Sequence, residues 1–314
     1  VITLVCRGVR AETDDVKSFV FEVQGPAVRY RAGQFMTFDL GGVSRCYTLS
    51  SAPTRPDRVA ITVKRKPGGV VSGRLHDTMR PGDVVRASGP VGFFTLEDHP
   101  AAKYLFLTAG SGVTPLISIA RALYDLAVEP DLVSVHSGRD DLFRDELAFI
   151  GRDLPGFAVL RTGERLTVGM LRAAVPDVVE REVFCCGPPG YMAAVRVMLG
   201  ELGCDPARCH EESFELEPLG PVPVVGGGGF RVEFSGSGRV VECPPGGTLL
   251  EAAEAAGVAV ATSCRVGLCG TCKSSLTAGR VDMDHQGGIR AREIAQGKVL
   301  LCCARPLTDL VIDR

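Results

Sequence analysis

The stretch ATSCRVGLCGTCKSS constrains this chain more than any other. It sets Cys264, Cys269 and Cys272 at C-x4-C-x2-C spacing, and twenty-nine residues separate Cys272 from the Cys302-Cys303 pair of KVLLCCARP. Three thiols on so short a loop oblige the backbone to turn around whatever they hold. Gly267, Gly270 and Thr271 are small enough to let amides face inward. Iron bridged by sulfide requires soft, deprotonated thiolates, and four of them complete two tetrahedral irons. Zinc sites are usually built from paired C-x2-C hooks, and here that hook occurs once. A 2Fe-2S cluster is therefore expected, with Cys302 or Cys303 as the fourth ligand.

The spacing resembles that of plant-type 2Fe-2S ferredoxins, in which an aliphatic pair leads into the last ligand and a short tail with Arg and Pro follows. Aligning Val299-Leu300-Leu301 with that pair implies that the metal ligands are Cys264, Cys269, Cys272 and Cys302. Cys303 is then expected on the opposite side of a strand. Upstream, FRVEFSGSGRVVECPPG reads as a hairpin and TLLEAAEAAGV as a short amphipathic helix, an order similar to the β-grasp ferredoxin fold. From Phe230 to Arg314 there are ten Lys/Arg and nine Asp/Glu, a net charge of +1. Free-standing plant ferredoxins are strongly acidic, which steers them to basic partners. A near-neutral domain is expected when its electron source is covalently attached.

At 314 residues the chain is too long for one ordinary core. Hydrophobic residues make up 45% and charged residues 23%, the formal charge is -2, and no basic run appears, so nucleic acid is not an expected partner. No run of about eighteen apolar residues occurs, which argues against a membrane-spanning helix. Of twelve cysteines, the adjacent pairs Cys185-Cys186 and Cys302-Cys303 do not bridge easily, so a cytoplasmic location is expected. The chain opens at Val1, which leaves a missing leader open. Glu215 to Gly229 is rich in Pro and Gly and reads as a linker. The expected domains are therefore 1–98, 99–214 and 230–314, joined by 215–229.

Residues 1–98 hold short Val-, Ile-, Thr- and Phe-rich segments punctuated by Gly and Pro, which reads as an all-β barrel or sandwich. One helical pattern lies near Ser72 to Met79, after Lys66-Pro-Gly-Gly69. Arg45-Cys-Tyr47-Thr48-Leu-Ser50-Ser carries a guanidinium suited to a diphosphate, an aromatic face and a hydroxyl. Gly68-Gly69-Val70-Val71-Ser72 is a glycine turn entering a helix, where free amides favour an anion. In order and separation these motifs resemble the flavin domain of the ferredoxin-NADP reductase superfamily, whose signature is Arg-x-Tyr-[Ser/Thr] followed by a Gly-x-x-Ser turn.

That resemblance implies a Greek-key antiparallel barrel. It implies contacts from Arg45 to the flavin phosphates, from Tyr47 and Thr48 to the isoalloxazine, and from Gly69, Val70, Val71 and Ser72 to the diphosphate. Val63 and Lys64 fall where the family commonly meets the flavin. Thr48-Leu-Ser50-Ser is similar to the FAD branch rather than the FMN-binding phthalate dioxygenase reductase branch, so FAD is expected.

From residue 100 the pattern alternates strand and helix: KYLFLTAG, SGVTPLISIARALYDL, LVSVHSG, FRDELAFIGRD, FAVLRT, VGMLRAAV, REVFCCG and PPGYMAAVRVMLGELG. This predicts a parallel sheet with helices on both faces, whose ligands sit beyond the carboxyl ends of the strands. Two glycine turns fall at such ends: Gly110-Ser111-Gly112-Val-Thr114-Pro115 and Cys186-Gly187-Pro188. Together they resemble the nicotinamide-binding half of the same superfamily, which implies that Cys186 borders the carbon carrying the hydride. Arg139 falls in the loop that meets the adenosine end. Asp140 and Asp141 beside it would repel a 2'-phosphate, which favours NADH. In HEESFELEP, Phe214 stands either near the flavin ring or as a packing residue before the linker, with Glu212 nearby.

The full order of flavin barrel, nicotinamide domain and C-terminal ferredoxin resembles the reductase components of oxygenase systems related to phthalate dioxygenase reductase. The expected activity is NADH-dependent reduction of a terminal oxygenase, of Rieske type or similar, through FAD and a 2Fe-2S cluster. Thr48 and Cys186 are the side chains expected at the hydride step. A hybrid-cluster protein or a cytochrome P450 as acceptor, and a redox-sensing subunit without turnover, are the alternatives.

Overall fold

The computed structural model describes residues 1–138, 142–214, 228–262 and 264–314. The chain divides into two compact units, Val1–Glu215 and Leu216–Arg314.

The first unit opens with six antiparallel strands: β1 (Ile2–Ala11), β2 (Val16–Gln24), β3 (Phe35–Asp39), β4 (Ser44–Thr48), β5 (Arg58–Lys64) and β6 (Val84–Val91). Their order is β4-β3-β6-β1-β2-β5, and a bridge from Leu49 to Ile61 brings the two edges together, so the sheet closes into a barrel. Period-two alternation drives this: Phe19, Phe21, Phe38, Met36, Leu4 and Ile61 all point inward and are fully buried. Burying each such side chain contributes about 1.5–3 kcal/mol. Helix α1 (Val70–Thr78) follows β5 and plugs one side with Val71 and Leu75.

Next come β7 (Lys103–Ala109), α2 (Thr114–Asp125), β8 (Asp131–Ser137), α3 (Arg144–Asp153), β9 (Phe157–Thr162), α4 (Val168–Ala174), β10 (Glu182–Cys186), α5 (Pro189–Leu202) and β11 (Cys209–Glu212). All five strands are parallel, in the order β11-β10-β7-β8-β9. The direction of winding reverses between β7 and β10, which makes the ends of those two strands the switch point where such sheets bind ligands. Alternate residues of β7 serve opposite cores: Tyr104 and Phe106 pack with α2 and α3, while Leu105 and Leu107 pack with α4 and α5. The sequence pattern anticipated β7 to β10 but not β11, a four-residue Cys-His-Glu-Glu strand whose pairing with β10 overrides its polar composition. Barrel and sheet share one core, since Ala32 and Phe94 pack with α2. Two bonds reinforce the junction, Ser118 Oγ donating to the Ser51 carbonyl at 2.7 Å and Arg121 to the Ser50 carbonyl at 2.6 Å.

The second unit contains β12 (Phe230–Phe234), β13 (Arg239–Cys243), α6 (Leu249–Ala255), β14 (Lys273–Ala278), β15 (Val281–Met283), α7 (Ala291–Ala295), β16 (Lys298–Leu300), β17 (Ala304–Pro306) and β18 (Leu310–Asp313). Five strands form a mixed sheet in the order β13-β12-β18-β14-β16, with β12 and β18 parallel at its centre, and β15 pairs with β17. Thr248 and Glu251 cap α6 reciprocally, and its apolar face lies on the sheet. The expected strand through Cys302 and Cys303 is not found. Both lie in the turn between β16 and β17, so their divergence comes from turn geometry rather than from alternation along a strand. Among the described residues no helix is long and apolar enough to cross a membrane. Of the expected linker, 215–227 lies outside the described residues.

Candidate functional site

The cysteine loop shows why its glycines are there. Gly267 and Gly270 have φ of +75° and +73°, which L side chains rarely adopt. Space forbids a side chain as well: a Cβ at Gly267 would lie 2.7 Å from Cys303 Sγ, and one at Gly270 would lie 2.7 Å from the Gly288 carbonyl oxygen. Arg265 takes a left-handed φ of +61° without being glycine, and its guanidinium is anchored to Glu254 through contacts of 2.6 and 2.7 Å.

The loop's amides then converge on sulfur. Leu268 and Cys269 donate to Cys264 Sγ, each at 3.2 Å, and Gly267 donates to Cys302 Sγ at 3.2 Å. Cys264 donates to Cys269 Sγ and Cys302 to Cys272 Sγ, both at 3.5 Å, and the Thr271 hydroxyl reaches Cys269 Sγ at 3.1 Å. All four sulfurs are buried. A thiol contact with Cys264 and burial push Cys269 up, while a hydrogen bond from Cys302 draws Cys272 down. Buried thiolates cradled by N–H donors suit an iron–sulfur cluster, because each donor stabilises negative charge on sulfur. Cys303 is different: its Sγ points to the Leu300 carbonyl at 3.7 Å.

In the first unit the residues expected at the hydride step come together. Cys186 ends β10, paired with Thr108 on β7 and with Glu212 on β11. Thr48, at the end of β4, donates its hydroxyl to Glu212 Oε2 at 3.1 Å. Glu212 is 4% exposed, and burial pushes its carboxyl up to about 8 against the opposing pull of that hydrogen bond. Cys186 is fully buried, and burial with the nearby Glu212 charge raises its thiol well above the usual range. Thr48, Cys186 and Glu212 thus form one buried constellation.

The two glycine turns meet at the switch point. A Cβ on Gly112 would fall 2.2 Å from the Cys186 carbonyl oxygen and 2.7 Å from the Gly187 amide. One on Gly187 would meet the Tyr191 ring at 2.8 Å. Ser111 accepts the Thr114 hydroxyl at 2.9 Å, Pro115 sits in the first turn of α2, and Pro188 leads into α5. Two helix N-termini therefore open beside each other, a ready site for a diphosphate. Arg139 lies outside the described residues.

On the barrel, Gly69 stands at the start of α1 in extended conformation, and a Cβ there would meet Ser72 Oγ at 2.5 Å. The first amides of the helix, from Val70, Val71 and Ser72, lack partners within it by geometry, an arrangement that favours a nearby anion. Tyr47 packs edge-on against Phe38 with ring centroids 5.9 Å apart, and burial raises its hydroxyl. Arg45 is exposed and folds back on the Ser44 carbonyl at 2.7 Å. Val63 is buried, its carbonyl held by His76 at 2.9 Å, and Lys64 pairs with Asp15 at 3.2 Å. Ser50 is engaged within the protein throughout: its hydroxyl and amide reach the Ala60 carbonyl, and its own carbonyl takes Arg121. Phe214 packs against the core that contains Cys186 and Phe184.

A barrel of this kind, a nucleotide-binding sheet and a four-sulfur domain in one chain define an iron–sulfur flavoprotein reductase. Comparison with known proteins agrees. Residues 7–96 match the oxidoreductase FAD-binding domain, and residues 232–307 match the 2Fe-2S iron-sulfur cluster binding domain. The chain is 38% identical to the glycine betaine monooxygenase reductase subunit of Pseudomonas aeruginosa, over 98% of this chain and 94% of that one. It is similar in structure to phthalate dioxygenase reductase, with TM-score 0.64 and 27% identity, over 99% of this chain and 97% of that one. It is also similar to an intact type IV self-sufficient cytochrome P450 monooxygenase, with TM-score 0.84 and 26% identity, covering all of this chain but 41% of that one. The chain belongs to the ferredoxin-NADP reductase superfamily, in the branch with a C-terminal 2Fe-2S domain that includes oxygenase reductase subunits.

Proposed function

We propose that this chain is the NADH-dependent reductase component of an oxygenase system, passing electrons singly to a separate terminal oxygenase of Rieske type. The observation that carries the reading is the loop in which Cys264, Cys269, Cys272 and Cys302 receive inward-facing amides, together with the buried constellation of Thr48, Cys186 and Glu212. When bound, a flavin accepts hydride and releases electrons one at a time, and a 2Fe-2S cluster carries one electron onward. The protein's own work is positioning. The amides at the start of α1 and the Arg45 guanidinium hold the flavin phosphates, and Tyr47 walls the ring. Gly112 and Gly187 let the backbone approach the nicotinamide cofactor, and Cys186 and Glu212 exclude water from the transfer region. Asp140 and Asp141 support NADH over NADPH, and thiolate ligation fits a reducing cytoplasm.

Anaerobic titration with NADH, followed by visible spectra and EPR, tests this. Flavin bleaching followed by one reduced-cluster signal per chain is expected. Flavin that NADH leaves oxidised, or purified protein holding zinc without iron and sulfide, overturns the reading. The likeness to a self-sufficient P450 monooxygenase supports a second acceptor class. Turnover with a purified P450 and none with a Rieske oxygenase would select it.

A further inference from the structure

We propose that His99, Glu182 and His210 form a binding site for a divalent transition metal of the zinc class, apart from the cluster cysteines. His99 lies on the loop after the barrel, Glu182 begins β10, and His210 lies on β11, opposite Phe184 in the parallel register. One ligand atom from each lies within 4.8 Å of the other two. The imidazoles of His99 and His210 stack with centroids 3.5 Å apart at an angle of 26°. His210 Nε2 meets Glu182 Oε1 at 2.6 Å.

The surroundings orient two of the three ligands as metal sites require. His99 Nε2 sits 3.0 Å from the Phe93 carbonyl. A carbonyl only accepts, so Nε2 carries the proton and Nδ1 keeps the lone pair that a metal needs. The second oxygen of Glu182 takes a hydrogen bond from Arg208 Nε at 3.2 Å, which leaves Oε1 directed toward the imidazoles. Two neutral nitrogens and one carboxylate oxygen suit zinc, copper or cobalt, and are a poor set for magnesium or calcium. Three protein ligands leave a fourth tetrahedral position for water.

The consequence is structural. The metal would tie the loop after the barrel to β11, an edge strand of four residues whose His210 stands two positions before Glu212, on the same face. It would fasten the strand that presents Glu212 to Thr48.

The test is equilibrium dialysis of the holoprotein against micromolar zinc chloride, with elemental analysis and a visible spectrum to show that flavin and cluster stay intact. One bound zinc ion per chain is expected, along with a higher unfolding temperature. The His99→Gln and His210→Gln variants should each bind zinc at least about tenfold more weakly and lose the thermal shift. Zinc binding by either variant as tight as that of the unsubstituted protein, or no binding below millimolar zinc, overturns the proposal. Should either variant fail to fold, copper(II) EPR of the unsubstituted oxidised protein decides. Hyperfine coupling from two nitrogens supports the site, and a sulfur-ligated signal or none overturns it.

Discussion

At Gly112 the space available is decided by another turn rather than by its own backbone. The Cys186 carbonyl occupies the place where a methyl group would go, only 2.2 Å from an ideal Cβ. Gly112→Ala must therefore push the two ligand turns apart, and displacement of about 1 Å costs on the order of a hundredfold in rate when reacting atoms must align. We expect NADH–ferricyanide activity to fall by about that factor while flavin content is unchanged. A variant with full activity would show that the turns do not jointly position the nicotinamide. At Thr48 the relevant atom is a hydrogen. Thr48→Val keeps the shape but removes the donor to Glu212 Oε2, and a buried acceptor left without its partner costs about 1–3 kcal/mol. Flavin reduction measured by stopped flow should slow more than flavin binding weakens. An unchanged rate would remove Thr48 from the hydride step.

Among the elements, the barrel strands, β7 to β10, the β12–β13 hairpin and α1 to α6 were legible from apolar periodicity or, as at Leu105, Phe106 and Leu107, from an apolar run buried on both faces. Strand β11 was not, since Cys-His-Glu-Glu has no apolar alternation and pairs only because β10 lies beside it. The sequence placed Cys302 and Cys303 on a strand, whereas both lie in the turn between β16 and β17. The Thr48–Glu212 bond and the His99–Glu182–His210 cluster join residues from distant parts of the chain, and single-sequence spacing carries no signal for either. The approach to β10 shows how such long-range pairing carries charge. Buried Arg181 bonds Asp177, Asp131 and the Tyr104 carbonyl, and Lys103 also reaches Asp177 at 2.9 Å. Arg181 and then Lys103 lower the Asp177 carboxyl from 3.8 to about 2. A depressed carboxylate stabilises the fold above its unfolded value, and that stabilisation is lost as pH falls through the folded value. The unit should therefore lose stability between about pH 4 and pH 2 by this route. Asp177→Asn should flatten the pH dependence of thermal unfolding across that window, and an unaltered slope would assign acid sensitivity elsewhere.

For the whole molecule, the division into two compact units places Thr48, Cys186 and Glu212 in Val1–Glu215, and Cys264, Cys269, Cys272 and Cys302 in Leu216–Arg314. Each unit has its own buried core, so a change confined to the cysteine loop leaves the core around Cys186 untouched. We expect electrons that enter as hydride at the first unit to reach cytochrome c through the second, whereas ferricyanide takes them directly from the flavin. Cys269→Ser replaces a sulfur that accepts from the Cys264 amide and the Thr271 hydroxyl with a harder, poorly ionised oxygen. We expect the variant to lose the cluster's visible and EPR signatures and to reduce cytochrome c at less than about a hundredth of the unmodified rate, a barrier increase of roughly 2.7 kcal/mol. NADH–ferricyanide turnover should remain within about twofold, which is under half a kcal/mol. Loss of both activities together would mean that the two units do not act in series, and retention of both would mean that electrons leave from the flavin without passing the cysteine loop.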